Sequence, residues 1–270
     1  MKYPFISIII TTYNRAHFLP ATITSILNQT YKNFELLIID DGSTDNTSSI
    51  VNKFLFDKRV KYFHINNSGG PSRPRNVGVN LCNYYLIAFC DDDDIWVKNK
   101  LRIQVDYLIK YNLDFVSSNM ILFKDEVSHV IGRTKNKNVK SLGAFIYRNE
   151  INTSTVILKK SELIIFNENI EFLNCGEDYL LWLQLFSKKY KFGFINEPLV
   201  YYRISDSNIS KKSWVSSHIV KIIIHLKIFL ENKLSIKLLP FILITLNKNI
   251  FYFLLKYFLV SVRKNPFSKK

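Results

Sequence analysis

Cysteine, histidine and glycine are scarce in this sequence, and their scarcity excludes several kinds of protein. The 270 residues include three cysteines, five histidines and eight glycines. Because the cysteines are odd in number and lie in or near apolar runs, they predict reduced core residues of a cytoplasmic protein rather than a disulfide framework. The histidines show no metal-ligand spacing, so we expect them to be ordinary surface or core polar groups.

Long uncharged apolar runs are also missing, which argues against a transmembrane helix. Such a helix needs about 18 or more consecutive apolar residues. The most apolar stretch, residues 241–262, is interrupted by Lys248 and Lys256. Residues 1–4 lead directly into a predicted strand, so we expect no secretion signal.

Acidic residues are nearly absent from the C-terminal segment. Residues 211–270 hold twelve Lys or Arg and one acid, Glu231, which gives a net charge of +11. The first 210 residues hold 25 basic and 21 acidic residues, so most of the +15 net charge lies in this tail. On a helix over this segment one stripe holds Thr245, Lys248, Asn249, Tyr252, Lys256 and Arg263. A basic stripe on an apolar helix predicts peripheral binding to the inner face of an anionic membrane, the alternatives being packing on its own domain or in a homodimer.

The first 210 residues contain one run of four consecutive aspartates. Asp91 to Asp94 follow an apolar run, residues 84–90, that predicts a buried strand. Adjacent carboxylates repel one another, and a folded site keeps them only beside a compensating charge. Mg²⁺ and Mn²⁺ bind through carboxylate oxygens alongside substrate phosphates, so we predict a divalent metal and a diphosphate here. The alternative is a helix start capped by Asp94, which would explain one or two of the four acids.

Three earlier apolar runs, residues 5–10, 34–39 and 60–65, also predict strands, and helical patterns alternate with them. Residues 115–123 and 155–158 predict strands that extend the sheet. The fold class is therefore α/β, with a doubly wound, mostly parallel sheet. Polar groups that could hold a ribose, a base or a phosphate follow the first three strands, although turns and surface arginines remain an alternative. They are Thr11, Tyr13, Asp40, Asp41, Arg73 and Arg75.

Four segments together carry a more specific pattern. They are SIIITTYNR at residues 7–15, IDDGSTD at 39–45, GGPS with RN at 69–76, and DDDDIW at 91–96. In this order they resemble the family 2 glycosyltransferases of GT-A fold, over roughly residues 5–205, and four ordered motifs are far more specific than any one of them. The resemblance implies a catalytic domain over 1–210, with a Rossmann-like nucleotide-sugar half at 1–100 and an acceptor half at 101–210, followed by a basic, apolar helical tail at 211–270.

The resemblance also implies roles for the strand-end residues. One group would line the nucleoside pocket, an arginine would reach the diphosphate, and the outer aspartates of an Asp-X-Asp motif would bind Mn²⁺ or Mg²⁺. The residues expected to bind the nucleotide sugar are Thr11, Tyr13, Asp40, Asp41, Arg73, Arg75, Asp91 and Asp92. The residues expected to bind the metal are Asp93, as the direct ligand, and Asp91.

The catalytic base is implied by a later motif. Glu177 and Asp178 open an apolar-faced helix, and two N-terminal acids need no other explanation. The resemblance changes that interpretation, because the family has a Glu-Asp pair here whose Asp is the base, and Asp178 matches it. The polar segment 152–154 is expected to face an acceptor. The sequence departs from the family at Ser205, where a His often follows a Tyr-Tyr-Arg segment.

By this resemblance we expect an inverting glycosyltransferase that moves a hexose from a UDP-linked donor to a lipid-linked glycan, such as GlcNAc-diphosphate-undecaprenol, in O-antigen, lipopolysaccharide or capsule synthesis. A nucleotidyltransferase is one alternative, but no glycine-rich loop follows the first strand, since residues 11–14 contain no glycine. A nucleic-acid-binding protein is another. Its basic charge would be spread over a groove, whereas here the charge is terminal and interleaved with aliphatic residues, so no nucleic-acid partner is expected.

Overall fold

Four parallel strands form the first half of the sheet, as the alternating apolar runs predict. The computed structural model describes residues 3–134, 151–168 and 176–204. The first strand is central and pairs in parallel with the second and the fourth, and the third strand pairs in parallel with the second. The strands are β1 (Ile6–Thr12), β2 (Phe34–Asp40), β3 (Val60–His64) and β4 (Leu86–Asp91).

Helices cover both faces of this sheet, which explains why the strands read as continuous apolar runs. Every residue of β2 is buried, as expected for a strand between two layers. One face of the sheet packs against α1 and α4, and the other packs against α3 and α5. The helices are α1 (Leu19–Leu27), α2 (Thr47–Asn52), α3 (Ser72–Leu81), α4 (Lys100–Lys110) and α5 (Glu177–Ser187).

The second half adds five strands and makes the sheet mixed. The strand order is β3-β2-β1-β4-β8-β6-β9-β5, and β7 pairs with β6. Pairing is antiparallel between β4 and β8, β6 and β8, β6 and β7, and β5 and β9, but parallel between β6 and β9. These strands are β5 (Ile95–Trp96), β6 (Phe115–Phe123), β7 (Val130–Arg133), β8 (Ile157–Lys159) and β9 (Phe192–Arg203).

The predicted doubly wound α/β fold is confirmed, with two differences in detail. Asp94 does not cap a helix, because β5 follows it and α4 begins only at Lys100, after Asn99. The segment predicted as a strand at 155–158 begins with a 3₁₀ turn, Thr153–Thr155, which leads into β8. The aspartate cluster therefore lies in a turn between two strands rather than at a helix start.

Some sequence predictions fall on residues that the structure does not describe. The tail at 211–270, Ser205 and Cys175 lie outside the described residues. Cys82 and Cys90 are buried and free of disulfides, as expected of reduced core cysteines. In the described parts of the chain, no helix combines the length and apolarity that crossing a membrane requires.

Candidate active site

The polar ends of the parallel strands lie side by side, because the strand register brings them together. Thr11 of β1 pairs with Asp91 of β4, and Thr12 pairs with Asp40 of β2. All three strands run in the same direction, so their carboxyl ends share one edge of the sheet. Ligands of open α/β sheets bind outside this edge, and the predicted site residues Thr11, Asp40 and Asp91 lie on it.

Asp40 and Asp41 organise the loops around the predicted nucleoside pocket. Asp40 is fully buried and accepts hydrogen bonds from the Ser43 N–H at 2.8 Å and the Tyr62 hydroxyl at 2.5 Å. The Asp41 carboxylate accepts from both the N–H and the hydroxyl of Ser68, at 2.9 to 3.1 Å. Burial raises the pKa of Asp41, and the bonds from Ser68 oppose that shift. Both carboxylates are thus tied to protein donors, which fixes the shape of the pocket.

Asn14 joins the end of β1 to the loop after β2, a role that the motif alone did not reveal. Its backbone has a φ of 53°, in the left-handed region that Asn tolerates better than most residues. Its side-chain Oδ1 accepts from the Thr44 N–H at 2.8 Å, and its own N–H donates to Ser43 Oγ at 2.8 Å. The neighbouring Tyr13 remains about half exposed, with its ring available to a ligand.

The two arginines of α3 lie in different environments. Arg73 is exposed, and its charge acts to lower the pKa of Asp41. Arg75 is only 6% exposed. Its Nη2 lies 2.9 Å from Asp91 Oδ1 and its Nη1 lies 2.6 Å from Glu177 Oε1. Charge-assisted bonds of this kind are strong and geometrically specific, so Arg75 links the end of β4 to the start of α5.

The four consecutive aspartates point to different partners. Asp91 pairs with Arg75, as described above. Asp93 Oδ2 lies 3.6 Å from Arg15 Nη1. Burial, followed by the charge of Asp93, raises the pKa of Asp92 to about 7. Burial and the charge of Asp91 likewise raise the pKa of Asp93, although Arg15 opposes the shift.

Arg203, at the end of β9, supports the cluster from the other side. Its guanidinium lies over the rings of Phe18 and Phe123, at 4.6 and 4.4 Å from their centroids. The side-chain Nε of Arg203 donates to the backbone oxygen of Asp93 at 3.1 Å, and the backbone N–H of Arg203 donates to Asp94 Oδ1 at 3.1 Å. The sequence indicates this arginine only as part of the Tyr-Tyr-Arg segment. Its contact with the aspartates depends on the pairing of β5 with β9, which local periodicity does not encode.

These residues suit a hard divalent cation that binds together with a phosphate ligand. Asp91 and Asp93 offer carboxylate oxygens, and a cation would offset the repulsion that raises the pKa of Asp93. Within residues 3–134, 151–168 and 176–204, no three His, Cys, Asp or Glu side chains form a metal-binding group. Mg²⁺ commonly uses one or two carboxylates and completes its shell with substrate phosphates and water. The arrangement therefore fits a metal shared with a diphosphate.

Asp178 is the second residue of α5, which begins directly after Gly176, whose φ of 92° favours glycine. Asp178 Oδ1 accepts from the Tyr179 N–H at 2.6 Å, and Oδ2 accepts from the Thr153 hydroxyl at 3.1 Å. Burial and the charge of Glu177 raise the pKa of Asp178 to about 7, while Arg75 opposes the rise. A carboxylate with a pKa near neutrality is well matched to general-base work.

The segment 152–154, expected to face an acceptor, is instead largely internal. Thr153 and Ser154 are both buried. The Ser154 hydroxyl accepts from the backbone N–H of Asp91 at 2.9 Å, while Thr153 donates to Asp178. The polar character of Thr153 and Ser154 therefore reflects hydrogen bonds within the protein, and contact of the segment with an acceptor stays a prediction.

The sequence matches one family of known proteins. The model of the family described as Glycosyl transferase family 2 matches residues 7–166. The Escherichia coli UDP-Glc:alpha-D-GlcNAc-diphosphoundecaprenol beta-1,3-glucosyltransferase WfgD is 34% identical over 220 residues, which cover 77% of this chain and 81% of that protein. An uncharacterized glycosyltransferase of Rickettsia conorii is 38% identical over 209 residues, covering 74% of this chain. The chain spans only about a third of that relative's length, since the match covers 33% of it.

The solved structures support the fold. The crystal structure of S. aureus TarS 1–349 superposes with a TM-score of 0.72 at 24% identity, covering 98% of this chain and 75% of that one. The predicted GT-A fold is therefore confirmed. The nucleotidyltransferase and nucleic-acid-binding alternatives lose their support, because the family model covers the motif-bearing strands β1 to β4 as one unit. The chain belongs to glycosyl transferase family 2.

Proposed function

We propose that this protein is an inverting, metal-dependent hexosyltransferase that uses a UDP-sugar and a lipid-linked glycan acceptor, such as GlcNAc-diphosphate-undecaprenol. The observation that carries the proposal is that one buried arginine, Arg75, binds Asp91 of the aspartate cluster at one end of its guanidinium and Glu177 at the other. Glu177 is the neighbour of Asp178, whose carboxylate lies within the electrostatic reach of Arg75. The donor and acceptor are proposed from the E. coli relative, whose name specifies UDP-glucose and an α-GlcNAc-diphosphoundecaprenol. The hexoses covered by the proposal are glucose, galactose and the N-acetylhexosamines.

The nucleotide would bind along the strand-end edge. Thr11, Tyr13 and Asp41 would line the nucleoside pocket, with the half-exposed Tyr13 ring against the base. Asp40, which is buried, would act by holding the loop around this pocket. The exposed Arg73 is the better-placed arginine for the diphosphate, because the Arg75 guanidinium already binds two carboxylates.

Asp93 and Asp91 would hold Mn²⁺ or Mg²⁺ together with the diphosphate, and Asp92 would border it. When bound, the metal would supply positive charge that stabilises the departing nucleoside diphosphate. Arg15, which lies beside the Asp93 carboxylate, would keep it oriented before the donor arrives, and Arg203 would hold the backbone of Asp93 in place. This preorganisation lowers the cost of assembling the site.

Asp178 would act as the general base. Its carboxylate would take the proton of the acceptor hydroxyl while that oxygen forms a bond to the anomeric carbon. The bond between the anomeric carbon and the diphosphate oxygen breaks in the same displacement, and the electron pair leaves with the nucleotide. Attack from the face opposite the leaving group inverts the configuration. A pKa of about 7 leaves a substantial fraction of Asp178 deprotonated near neutral pH.

A donor screen tests the proposal. UDP release would be measured with a panel of UDP-sugars, with Mn²⁺, with Mg²⁺ and with EDTA, in the presence and absence of a GlcNAc-diphosphate-lipid. We expect one UDP-hexose to give acceptor-dependent release that EDTA abolishes, and a β-linked product from an α-linked donor. Full activity in EDTA, or a product that retains the donor's configuration, would contradict the metal role or the inverting mechanism respectively.

The domain division is part of the proposal. Residues 1–210 would form the catalytic domain, with a donor half at 1–100 and an acceptor half at 101–210. Residues 211–270, which carry a net charge of +11, would bind the inner face of an anionic membrane where a lipid-linked acceptor resides. Such binding would make the enzyme a peripheral membrane protein on the cytoplasmic side. Packing of the tail on the catalytic domain or in a homodimer is the competing possibility.

A further inference from the structure

One buried turn contacts both halves of the proposed catalytic centre. The three residues of the 3₁₀ turn Thr153–Thr155 are at most 2% exposed. Ser154 Oγ accepts from the Asp91 N–H at 2.9 Å, at the metal-binding end of β4. Thr153 Oγ1 donates to Asp178 Oδ2 at 3.1 Å. The turn therefore lies between the strand that would bind the metal and the carboxylate that would act as base.

The turn is held from several directions, so the Thr153 hydroxyl has little freedom to move. Asn152 Oδ1 accepts from the Ser154 N–H at 2.9 Å and closes the turn at its start. Gln104 of α4 donates from Nε2 to the backbone oxygen of Thr155 at 2.7 Å. Side chains whose surroundings fix their rotamers are the ones that can orient a reacting group.

We propose that Thr153 is a positioning residue for Asp178, whose hydroxyl fixes the rotation of the carboxylate and so aims the remaining lone pair of Oδ2 at the acceptor. The inference rests on the proposed role of Asp178 as base. The other groups that act on this carboxylate are the backbone N–H of Tyr179, the charge of Glu177 on the same helix, and the charge of Arg75 on α3. The backbone N–H holds Oδ1, so the Thr153 hydroxyl is what defines the direction of Oδ2.

The test compares variants that remove hydroxyl groups from the same turn. Thr153→Val removes the donor to Asp178 and keeps the side-chain shape. Thr155→Val is the matched control, because the Thr155 hydroxyl is equally buried but donates to the Asn152 backbone oxygen at 2.6 Å. Thr153→Ser keeps the hydroxyl and should show the same pH dependence of kcat as the wild type. If Thr153→Val folds poorly, the pair Thr153→Ser and Thr153→Ala isolates the hydroxyl in the same way.

The readout is the dependence of kcat on pH at saturating donor. A hydroxyl that donates to a carboxylate favours its charged form, so its loss raises the pKa of Asp178. We expect the acidic limb of the profile to move up by about one pH unit in Thr153→Val, with a several-fold lower kcat at pH 7 and an unchanged KM for the donor. Thr153→Ser and Thr155→Val should keep the wild-type limb.

Two outcomes would overturn the inference, and they are distinguishable from a failure of the proposed function. If Thr153→Val and Thr155→Val lower kcat equally at every pH and leave the limb in place, Thr153 has only a structural role. The same experiment includes Asp178→Asn. Wild-type activity in Asp178→Asn would show that Asp178 is not the base, and the proposed function would fail. A large loss of activity in Asp178→Asn, together with an unchanged acidic limb in Thr153→Val, would reject only the positioning role of Thr153.

Discussion

At the scale of single residues, the proposed chemistry depends on two buried carboxylates that must both be deprotonated, one to act as a base and one to bind a cation. Asp178 must lose its proton to act as a base, and burial with the adjacent Glu177 charge raises its pKa to about 7. Asp93 must stay charged to bind a cation, although burial and Asp91 raise its pKa too. The difference lies in their neighbours, since Arg15 and Arg203 surround Asp93 whereas a hydroxyl and a backbone N–H hold Asp178.

The first prediction concerns Asp178→Asn. Asparagine keeps the size and one acceptor oxygen but cannot take a proton, so we expect kcat to fall by at least ~10² with donor affinity nearly unchanged. In the wild type, kcat should rise with pH and level off above the pKa of about 7, because the base works deprotonated. Steady-state kinetics and calorimetric UDP binding measure both. The control is Asp106→Asn, an exposed acid on α4, and a kcat within a few-fold of wild type in Asp178→Asn would place the base elsewhere.

The second prediction concerns Asp93→Asn. Removing one of four clustered charges relieves repulsion, so we expect a Tm without metal that equals or exceeds that of the wild type. Mn²⁺ with UDP should raise the Tm of the wild type but not of the variant, because ligands stabilise only a protein that binds them. Thermal unfolding with and without Mn²⁺–UDP provides the measurement. If Mn²⁺ with UDP raises the Tm of both proteins equally, Asp93 is not a metal ligand.

At the scale of elements, two buried ion pairs that share the Arg75 guanidinium join α3 to β4 and to α5. Asp91 and Glu177 both bind this guanidinium, which is 6% exposed. Removing one member of a buried ionic group leaves the others uncompensated and commonly costs several kcal/mol. Arg73, two residues earlier on the same helix, is exposed and provides a matched comparison.

We therefore predict that two arginine variants affect different properties, one the stability of the protein and the other its binding of UDP. Arg75→Met should lower the free energy of unfolding by about 3 to 5 kcal/mol, since two carboxylates lose their partner. Arg73→Met should change stability by less than about 0.5 kcal/mol but weaken UDP binding, if Arg73 contacts the diphosphate. Denaturant unfolding and UDP titration distinguish the two. A stable Arg75→Met with weakened UDP binding would show that Arg75, and not Arg73, reaches the phosphates.

The element scale also explains what could be predicted from the sequence. Strands β1, β2 and β4 are buried on both faces and therefore appear as unbroken apolar runs, which set the fold and the strand-end residues. The long strand β9 was missed because exposed Asn196 and Glu197 and a proline, Pro198, interrupt its pattern, and the register with β6 shifts at the same point. The bond between Arg75 and Glu177 spans 102 residues, so no local pattern indicates it.

At the scale of the whole molecule, charge is distributed unevenly between the motif-bearing region and the tail. Residues 1–210 carry a net charge of only +4, from 25 basic and 21 acidic residues, whereas residues 211–270 carry +11. Every proposed donor contact lies in the first region. The acceptor proposed here is a membrane lipid, so catalysis and membrane binding would be the work of different parts of the chain.

The last prediction follows from this division. Truncation after Ser210 should leave UDP binding intact while it weakens binding to anionic vesicles and slows transfer to a long-chain lipid acceptor. Each Lys or Arg near an anionic leaflet contributes about 1 kcal/mol, so several of the twelve in the tail would outweigh the weak attraction of residues 1–210. That attraction must decrease as salt is raised.

The measurement is vesicle co-sedimentation of both proteins at low and high salt, beside turnover on short-chain and long-chain acceptors. A matched control is a full-length variant with Lys248 and Lys256 replaced by Gln, which reduces the charge of the tail without removing its apolar surface. It should sediment less than the wild type on anionic vesicles and equally on neutral ones.

If the truncated protein sediments as well as the full chain, the membrane contact lies elsewhere. If the truncated protein instead aggregates and loses UDP binding, the tail packs on the catalytic domain or on a second subunit. Its removal would then expose the apolar surface that it covers, which promotes aggregation, and would destabilise the nucleotide site.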